Sequence, residues 1–135
     1  MKTIPTVQKY MTVLPHSIGD EQTLEKAQDM MVTYHVRHLP VLHGGKIVGV
    51  LTDRDLKLVS GFRDIDFKKS KVSEAYTPEP YITTPHARLD EVASLMAEKK
   101  YGCAVVADNN KLVGIFTEID CMRALADLLT TRLGR

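Results

Sequence analysis

The stretch Gly49-Val50-Leu51-Thr52-Asp53-Arg54-Asp55 is written a second time, 65 residues on, as Gly114-Ile115-Phe116-Thr117-Glu118-Ile119-Asp120. Both copies keep a Gly, two apolar residues, a Thr and an acid three residues after that Thr. The same offset carries Leu24 onto Leu89, Met31 onto Met96, Val41 onto Val106, Lys46 onto Lys111 and Val48 onto Val113. Upstream it carries Val7, Thr12 and Pro15 onto Val72, Thr77 and Pro80. An ungapped register of this length is an internal duplication, so the chain must fold as two copies of one supersecondary unit. A half of about 65 residues is marginal alone, which predicts that the copies share one core.

Each copy reads in the same order. Residues 1–6 form a loose lead-in, since Pro5 prevents regular pairing there, and Val7 to Met11 can make one helical turn. Pro15-His16-Ser17-Ile18 is extended, and Gly19-Asp20 supplies turn and helix-start chemistry. Leu24, Ala27, Met31 and Tyr34 make a helical stripe. Leu39-Pro40-Val41-Leu42 and Ile47 to Leu51 are strands around a His43-Gly44-Gly45-Lys46 hairpin turn. Thr52 or Asp53 caps a second helix that runs to Gly61. Phe62 to Ser70 is a bridge whose cluster Lys68-Lys69-Lys71 reads as a solvated surface.

In the second copy Pro80 to Thr83 is the short strand, with Thr84-Pro85 as cap and first-turn proline. Leu89, Val92 and Met96 carry the stripe. Cys103 to Ala107 and Lys111 to Thr117 flank an Asp108-Asn109-Asn110 turn. The last helix continues through Leu125, Leu128 and Leu129 and outlasts its counterpart. The expected fold is therefore α+β: two tandem β-α-β-β-α repeats over residues 7–61 and 72–130, linked by 62–71, in a pseudo-two-fold pair with sheets packed together.

Bulk properties exclude several classes. With 18 basic and 17 acidic side chains the net charge is +1, no basis for broad nucleic-acid or membrane binding. No apolar run nears the ~20 residues a bilayer demands, and the N-terminus lacks a secretory core. Cys103 and Cys121 are too few for a disulfide scaffold and read as cytosolic thiols, which points to the cytoplasm. There is no credible Ser-His-Asp set, glycine-rich phosphate loop or paired-Cys zinc spacing. His35 and His38 lack companions for a metal site, and Cys103 in a core strand reads as a small hydrophobe. These absences argue against an enzyme.

The Thr-x-x-Asp repeat remains. Thr52-Asp53 and Thr117-Glu118 can cap helices, with acids suited to the helix dipole. Capping alone does not account for the recurrence of Asp55 as Asp120. A carboxylate there can accept hydrogen bonds from vicinal hydroxyls, as acids hold a ribose. The Thr hydroxyl and free helix amides can meet a phosphate, and the preceding Gly allows backbone to approach a ligand closely.

The chain resembles tandem CBS-domain proteins, or Bateman modules, over roughly residues 7 to 130. The carrying segments are Val7 to Thr12, Arg37-His38-Leu39-Pro40-Val41, Lys46 to Leu56 and their second-copy counterparts. That resemblance implies two sheets and four main helices, dimers, and adenosine-containing ligands bound between the paired motifs with a regulatory role. Position by position, it implies that Asp55 and Asp120 hold ribose hydroxyls and that Thr52 and Thr117 approach phosphate. His16-Ser17-Ile18 and Tyr81-Ile82-Thr83 would flank the base. Arg37, His38 and Arg54, with Pro40 beside them, would serve phosphate. Gly102, Cys103 and Ile119 stand in their places in the second copy, so the two clefts should differ.

The expected function is that of a stand-alone module binding AMP, ADP or ATP and signalling through a homodimer or a separate effector protein. The alternatives are an interaction module with vestigial clefts, and S-adenosylmethionine binding.

Overall fold

The computed structural model describes residues 3–134. Its elements in chain order are β1 (Thr12–Val13), β2 (Ile18–Gly19), α1 (Leu24–Tyr34), β3 (His38–His43), β4 (Lys46–Thr52) and α2 (Asp53–Ser60), then β5 (Thr77–Pro78), β6 (Ile82–Thr83), α3 (Leu89–Lys99), β7 (Cys103–Asp108), β8 (Lys111–Thr117) and α4 (Glu118–Leu128). Turns of 3₁₀ helix at Val7–Lys9 and Val72–Glu74 precede β1 and β5. At 11 residues α4 is longer than the 8-residue α2, and a π-helical stretch, Leu129–Leu133, extends it further; together these give the predicted extra length. The mixed α and β content, the two sheets and the four helices agree with the sequence expectation.

The chain forms two compact units, and they divide it differently from the repeat frame. One unit spans Pro15–Pro80; the other joins the N-terminal segment through Leu14 to everything from Tyr81 onward. In the first unit the sheet order is β2-β3-β4-β5, with β2 parallel to β3 and the rest antiparallel. In the second it is β1-β8-β7-β6, with β6 parallel to β7. Each sheet is thus completed by a two-residue strand from the segment that leads into the other repeat. β1 and β5 were not foreseen, because two residues are too few to show a period.

Burial follows the predicted stripes, and the residues facing the helices form a cluster in each unit. Leu24, Ala27 and Met31 of α1 meet Leu39, Val41, Leu51, Leu56, Val59 and Val72. Leu89, Val92 and Met96 of α3 meet Val7, Ala104, Val106, Phe116 and Ala124. Tyr34, assigned to the stripe from spacing, stands 44% exposed at the end of its helix.

Both first helices start later than the turn chemistry suggested. Thr23, not Gly19-Asp20, caps α1 by accepting the Lys26 N–H at 3.1 Å. Arg88 precedes α3 without a side-chain cap, so Thr84-Pro85 is not its start. The bridge completes the end of α1: the Leu24 and Glu25 amides donate to the Ser70 and Phe67 carbonyls. The equivalent carbonyl for α3 belongs to Pro5, which accepts the Leu89 N–H at 2.9 Å. Residues around Pro5 are therefore engaged rather than loose. Proline has no donor, but its carbonyl still satisfies one of the free amides of a helix start.

The β3–β4 hairpin turns through Gly44 and Gly45 at φ 57° and 81°, and the β7–β8 hairpin through Asn109 and Asn110 at 51° and 64°. Positive φ at both turn residues is what a two-residue hairpin of matching twist requires, and Gly or Asn tolerates it best. Beside the first hairpin, His43 Nδ1 lies 3.0 Å from Asp20 Oδ1. The hydrogen bond, and secondarily the Asp20 charge, raise the His43 pKa above its ordinary 6.5. A folded value above the unfolded one makes the contribution full below the unfolded pKa and lost as pH rises through the raised value. Thermal melts of His43→Gln against the unaltered protein should accordingly diverge more near pH ~6 than near pH ~8.5.

Candidate functional site

Each α2-type helix begins directly where a hairpin strand ends, so the Thr that closes the strand is also the cap. Thr52 Oγ1 accepts the Asp55 N–H at 3.0 Å, and the Asp55 carboxylate accepts the Thr52 N–H at 3.0 Å. Thr117 and Asp120 repeat this at 3.3 and 3.0 Å. These are reciprocal capping boxes, with Asp in the place more often held by Glu or Gln. The capping role is thus present in both copies.

It is not the whole of what the acid does. Thr77 Oγ1, from β5, lies 3.3 Å from both oxygens of Asp55. Thr12 Oγ1, from β1, lies 3.3 and 3.2 Å from those of Asp120. Sequence reading had aligned Thr12 with Thr77 without giving either a role; a hydroxyl at matched positions upstream of each motif was the available signal. Asp120 is also 3.7 Å from Arg123 and only 4% exposed, whereas Asp55 is half-buried.

The motif glycines have a specific use. A Cβ on Gly49 would stand 2.6 Å from Tyr76 Cε2 and would collide with the Thr77 carbonyl oxygen. A Cβ on Gly114 would stand 2.5 Å from Met11 Sδ. Tyr76 and Met11 are the residues immediately before the two threonines. Close backbone approach is what the glycines provide, as expected, but the group that approaches is the chain's own short strand.

The other residues singled out from the sequence divide between the units. In the unit of Pro15–Pro80, His38 faces Thr52 across the β3–β4 ladder, and the Arg37 carbonyl accepts the Asp53 N–H at 3.0 Å. Arg37, His38, Thr52, Arg54 and Asp55 therefore gather at one end of that sheet, with Arg37 and Arg54 exposed. Pro40 is fully buried and opposite Val50, so it shapes the sheet. Ile18 is buried in the core, and His16 stacks on Tyr34 with centroids 3.6 Å apart and planes 7° from parallel. One face of the His16 ring is thus already covered.

In the second unit Cys103 faces Thr117, and the Gly102 carbonyl accepts the Glu118 N–H at 3.2 Å. Cys103, Thr117, Ile119 and Asp120 therefore repeat the arrangement without its basic groups; Ile119 is 49% exposed. Burial pushes the Cys103 thiol up to about 12, so it stays protonated at neutral pH, in keeping with a packing role. The Tyr81 carbonyl accepts the Val105 N–H at 2.8 Å, and partial burial raises its phenol above the ordinary value. Tyr101 lies 5.4 Å from the Tyr81 ring, while Ile82 is 46% exposed and Thr83 half-buried in β6. Among the described residues no group of three His, Cys, Asp or Glu side chains is placed to hold a metal ion, and no helix is long and apolar enough to cross a membrane.

The CBS domain profile matches residues 7–60 and again 72–127, the two copies of this arrangement. The chain belongs to the CBS-domain family. A relative, the CBS domain-containing protein YhcV of Bacillus subtilis, is 30% identical over 129 residues, covering 96% of this chain and 86% of its own. Among solved structures, a putative acetoin utilization protein (AcuB) from Vibrio cholerae superposes with a TM-score of 0.87 at 28% identity, covering 98% of both chains. CBSX2 of Arabidopsis thaliana in complex with AMP gives a TM-score of 0.80 at 28% identity, over 92% of this CBS pair and 98% of that chain. The pair also matches inosine-5'-monophosphate dehydrogenases, of which it spans about a fifth, 22% in the Staphylococcus haemolyticus protein.

Proposed function

We propose that this CBS pair is a regulatory module that binds an adenine nucleotide (AMP, ADP or ATP) and passes occupancy on through a homodimer or to a separate protein. Asp55 carries the reading. It is half-buried rather than sealed, and its Oδ1 accepts at most the Thr77 hydroxyl. It stands at a helix start beside exposed Arg37 and Arg54, so a ribose, a phosphate and free cationic groups can meet there. The likeness to the AMP complex of CBSX2 supports the same ligand class.

Mass spectrometry of small molecules released from purified, denatured protein tests the proposal, followed by calorimetric titration of the emptied protein with AMP, ADP, ATP and S-adenosylmethionine. Failure of AMP, ADP and ATP to bind at millimolar concentration would overturn it, and binding of S-adenosylmethionine alone would favour that alternative. The basic groups should set phosphate preference: Arg37→Ala is expected to weaken AMP about ten-fold or more and adenosine little, since a guanidinium binds phosphate through forked, charge-assisted bonds. Equal losses for the two ligands would assign Arg37 a purely structural part.

A second reading, an interaction module with vestigial sites, is favoured by one observation: both motif glycines and both motif acids are already occupied by the chain's own side chains. The same titrations separate the two.

For the dimer, the proposed contact is the exposed row Met122, Leu125 and Leu129 on α4 and its extension. Leu128 packs into its own cluster, so it does not belong to this row. Sedimentation of Leu125→Glu should show monomer where the unaltered protein at tens of micromolar shows dimer; a monomeric unaltered protein would sink the idea.

A further inference from the structure

Each of the two carboxylates is met by a hydroxyl from one of the chain's own short strands. Thr77 Oγ1 is equidistant from the oxygens of Asp55 at 3.3 Å, and Thr12 Oγ1 nearly so from those of Asp120 at 3.3 and 3.2 Å. A vicinal diol would put one hydroxyl on each of these oxygens and so would compete for the same acceptors. Ordinary O–H···O bonds cluster near ~2.7–2.8 Å, so these contacts are long and weak. One hydroxyl also has one proton to give, while the carboxylate can accept about four bonds.

The strands that bring these hydroxyls are minimal. β5 is held to β4 through the Gly49–Pro78 and Val50–Thr77 pairs and by Tyr76 lying over Gly49. β1 is held to β8 through Thr12–Ile115 and Val13–Gly114, with Met11 over Gly114. Immediately beyond them come Leu14 at φ 48° and Glu79 at φ 53°, left-handed conformations disfavoured for residues with a Cβ. Leu14 is the last residue before the chain enters the unit of Pro15–Pro80, and Glu79 stands beside Pro80, where the chain leaves it. The same four features recur in both copies although the residues differ: an apolar side chain over a Gly, a Thr on an Asp, a two-residue strand and a left-handed crossing residue.

We propose that Thr77 and Thr12 are internal competitors for the carboxylates, so that ribose hydroxyls arriving on Asp55 displace Thr77, unseat β5 and loosen the crossing at Glu79. The proposal rests on the adenine-nucleotide reading and adds how binding would be passed along the chain. Half-buried Asp55 is the responsive member; Asp120, 4% exposed, is the one on which Thr12 stays closed. Displacement at one end and loosening at the other are a single coupling, so removing the competitor must strengthen binding by the amount that the ligand weakens the strand's seating.

The test uses the full chain with adenosine, AMP and 2',3'-dideoxyadenosine as probes, read by calorimetry and by amide hydrogen exchange over residues 75–79. In the unaltered protein AMP and adenosine should speed exchange there about five-fold or more, and dideoxyadenosine should not. Thr77→Val should bind adenosine and AMP several-fold more tightly, leave dideoxyadenosine unchanged and lose the ligand-dependent change in exchange; Thr77→Ser should behave as the unaltered protein does. Binding with unchanged or slowed exchange at 75–79, or Thr77→Val weakening adenosine, overturns the competition and leaves the proposed function standing. Absence of nucleotide binding by the unaltered protein overturns both. Because exchange is read on the unaltered chain, a Thr77→Val protein that does not fold still leaves the decisive measurement in hand.

Discussion

Gly49→Ala is expected to cost this protein about 3 kcal/mol or more, while Gly114→Ala costs about 1 kcal/mol, although the two glycines occupy the same place in the repeat. Overpacking a well-filled site ordinarily costs about 1–3 kcal/mol and occasionally more. At Gly49 the new methyl meets both an aromatic ring and the Thr77 carbonyl oxygen, so relief requires β5 to move as backbone. At Gly114 its three nearest neighbours are all side-chain atoms of Met11, which is unbranched and can change rotamer. Urea midpoints of the two variants measure the difference. Equal losses would mean that the Tyr76-Thr77 segment yields as readily as a methionine side chain. Since small domains are stable by only about 5–15 kcal/mol, the Gly49 variant should also show faster exchange along β4 and β5.

Asp120→Ala should lose about 2–3 kcal/mol of stability, more than Asp55→Ala, for which about 1 kcal/mol and a folded protein are expected. Both substitutions remove a capping acid, worth about 0.5–2 kcal/mol when a cap is lost. Only at Asp120 is the carboxylate sealed, so its removal leaves the Thr117 N–H without its partner in a place water barely reaches, a penalty of about 1–3 kcal/mol. At half-buried Asp55 water can replace the lost acceptor. Nucleotide affinity should move the other way, with Asp55→Ala weakening AMP about ten-fold or more and Asp120→Ala affecting it mainly through stability. Thermal melts and AMP titrations of both variants check this. A loss of affinity at Asp120 as large as that at Asp55 would place a responsive site in the second unit.

The structure also shows why some of the site resisted sequence reading. The part of Asp55 in the capping box was missed although the box is local, the two groups being three residues apart; Thr52 itself was legible as the cap. Thr12 was not, since it meets Asp120 across 108 residues of chain. Likewise the misplacement of both first helix starts came from trusting Gly19-Asp20 and Thr84-Pro85. Those residues carry good start chemistry, but the long-range carbonyls of Ser70 and Pro5 satisfy the helix amides further along. Local preference was outvoted by partners that only the folded chain supplies.

By itself the sequence determined that there are two copies, the type and order of their main helices and strands, the hairpin turns and the apolar stripes that become the clusters. The two copies rest on the 65-residue offset, and the remainder on periodicities and turn preferences read within some ten residues. Only the tertiary structure decided that the compact units cut across the repeats, with β1 completing the sheet of the second copy and β5 that of the first. It also decided that Leu14 and Glu79, or His35 and Lys100, adopt the same left-handed backbone despite unlike side chains. Two-residue strands and crossing residues have no periodicity of their own. Their conformation is set by what they must reach, a glycine on the neighbouring strand and a carboxylate at the start of the helix that follows it.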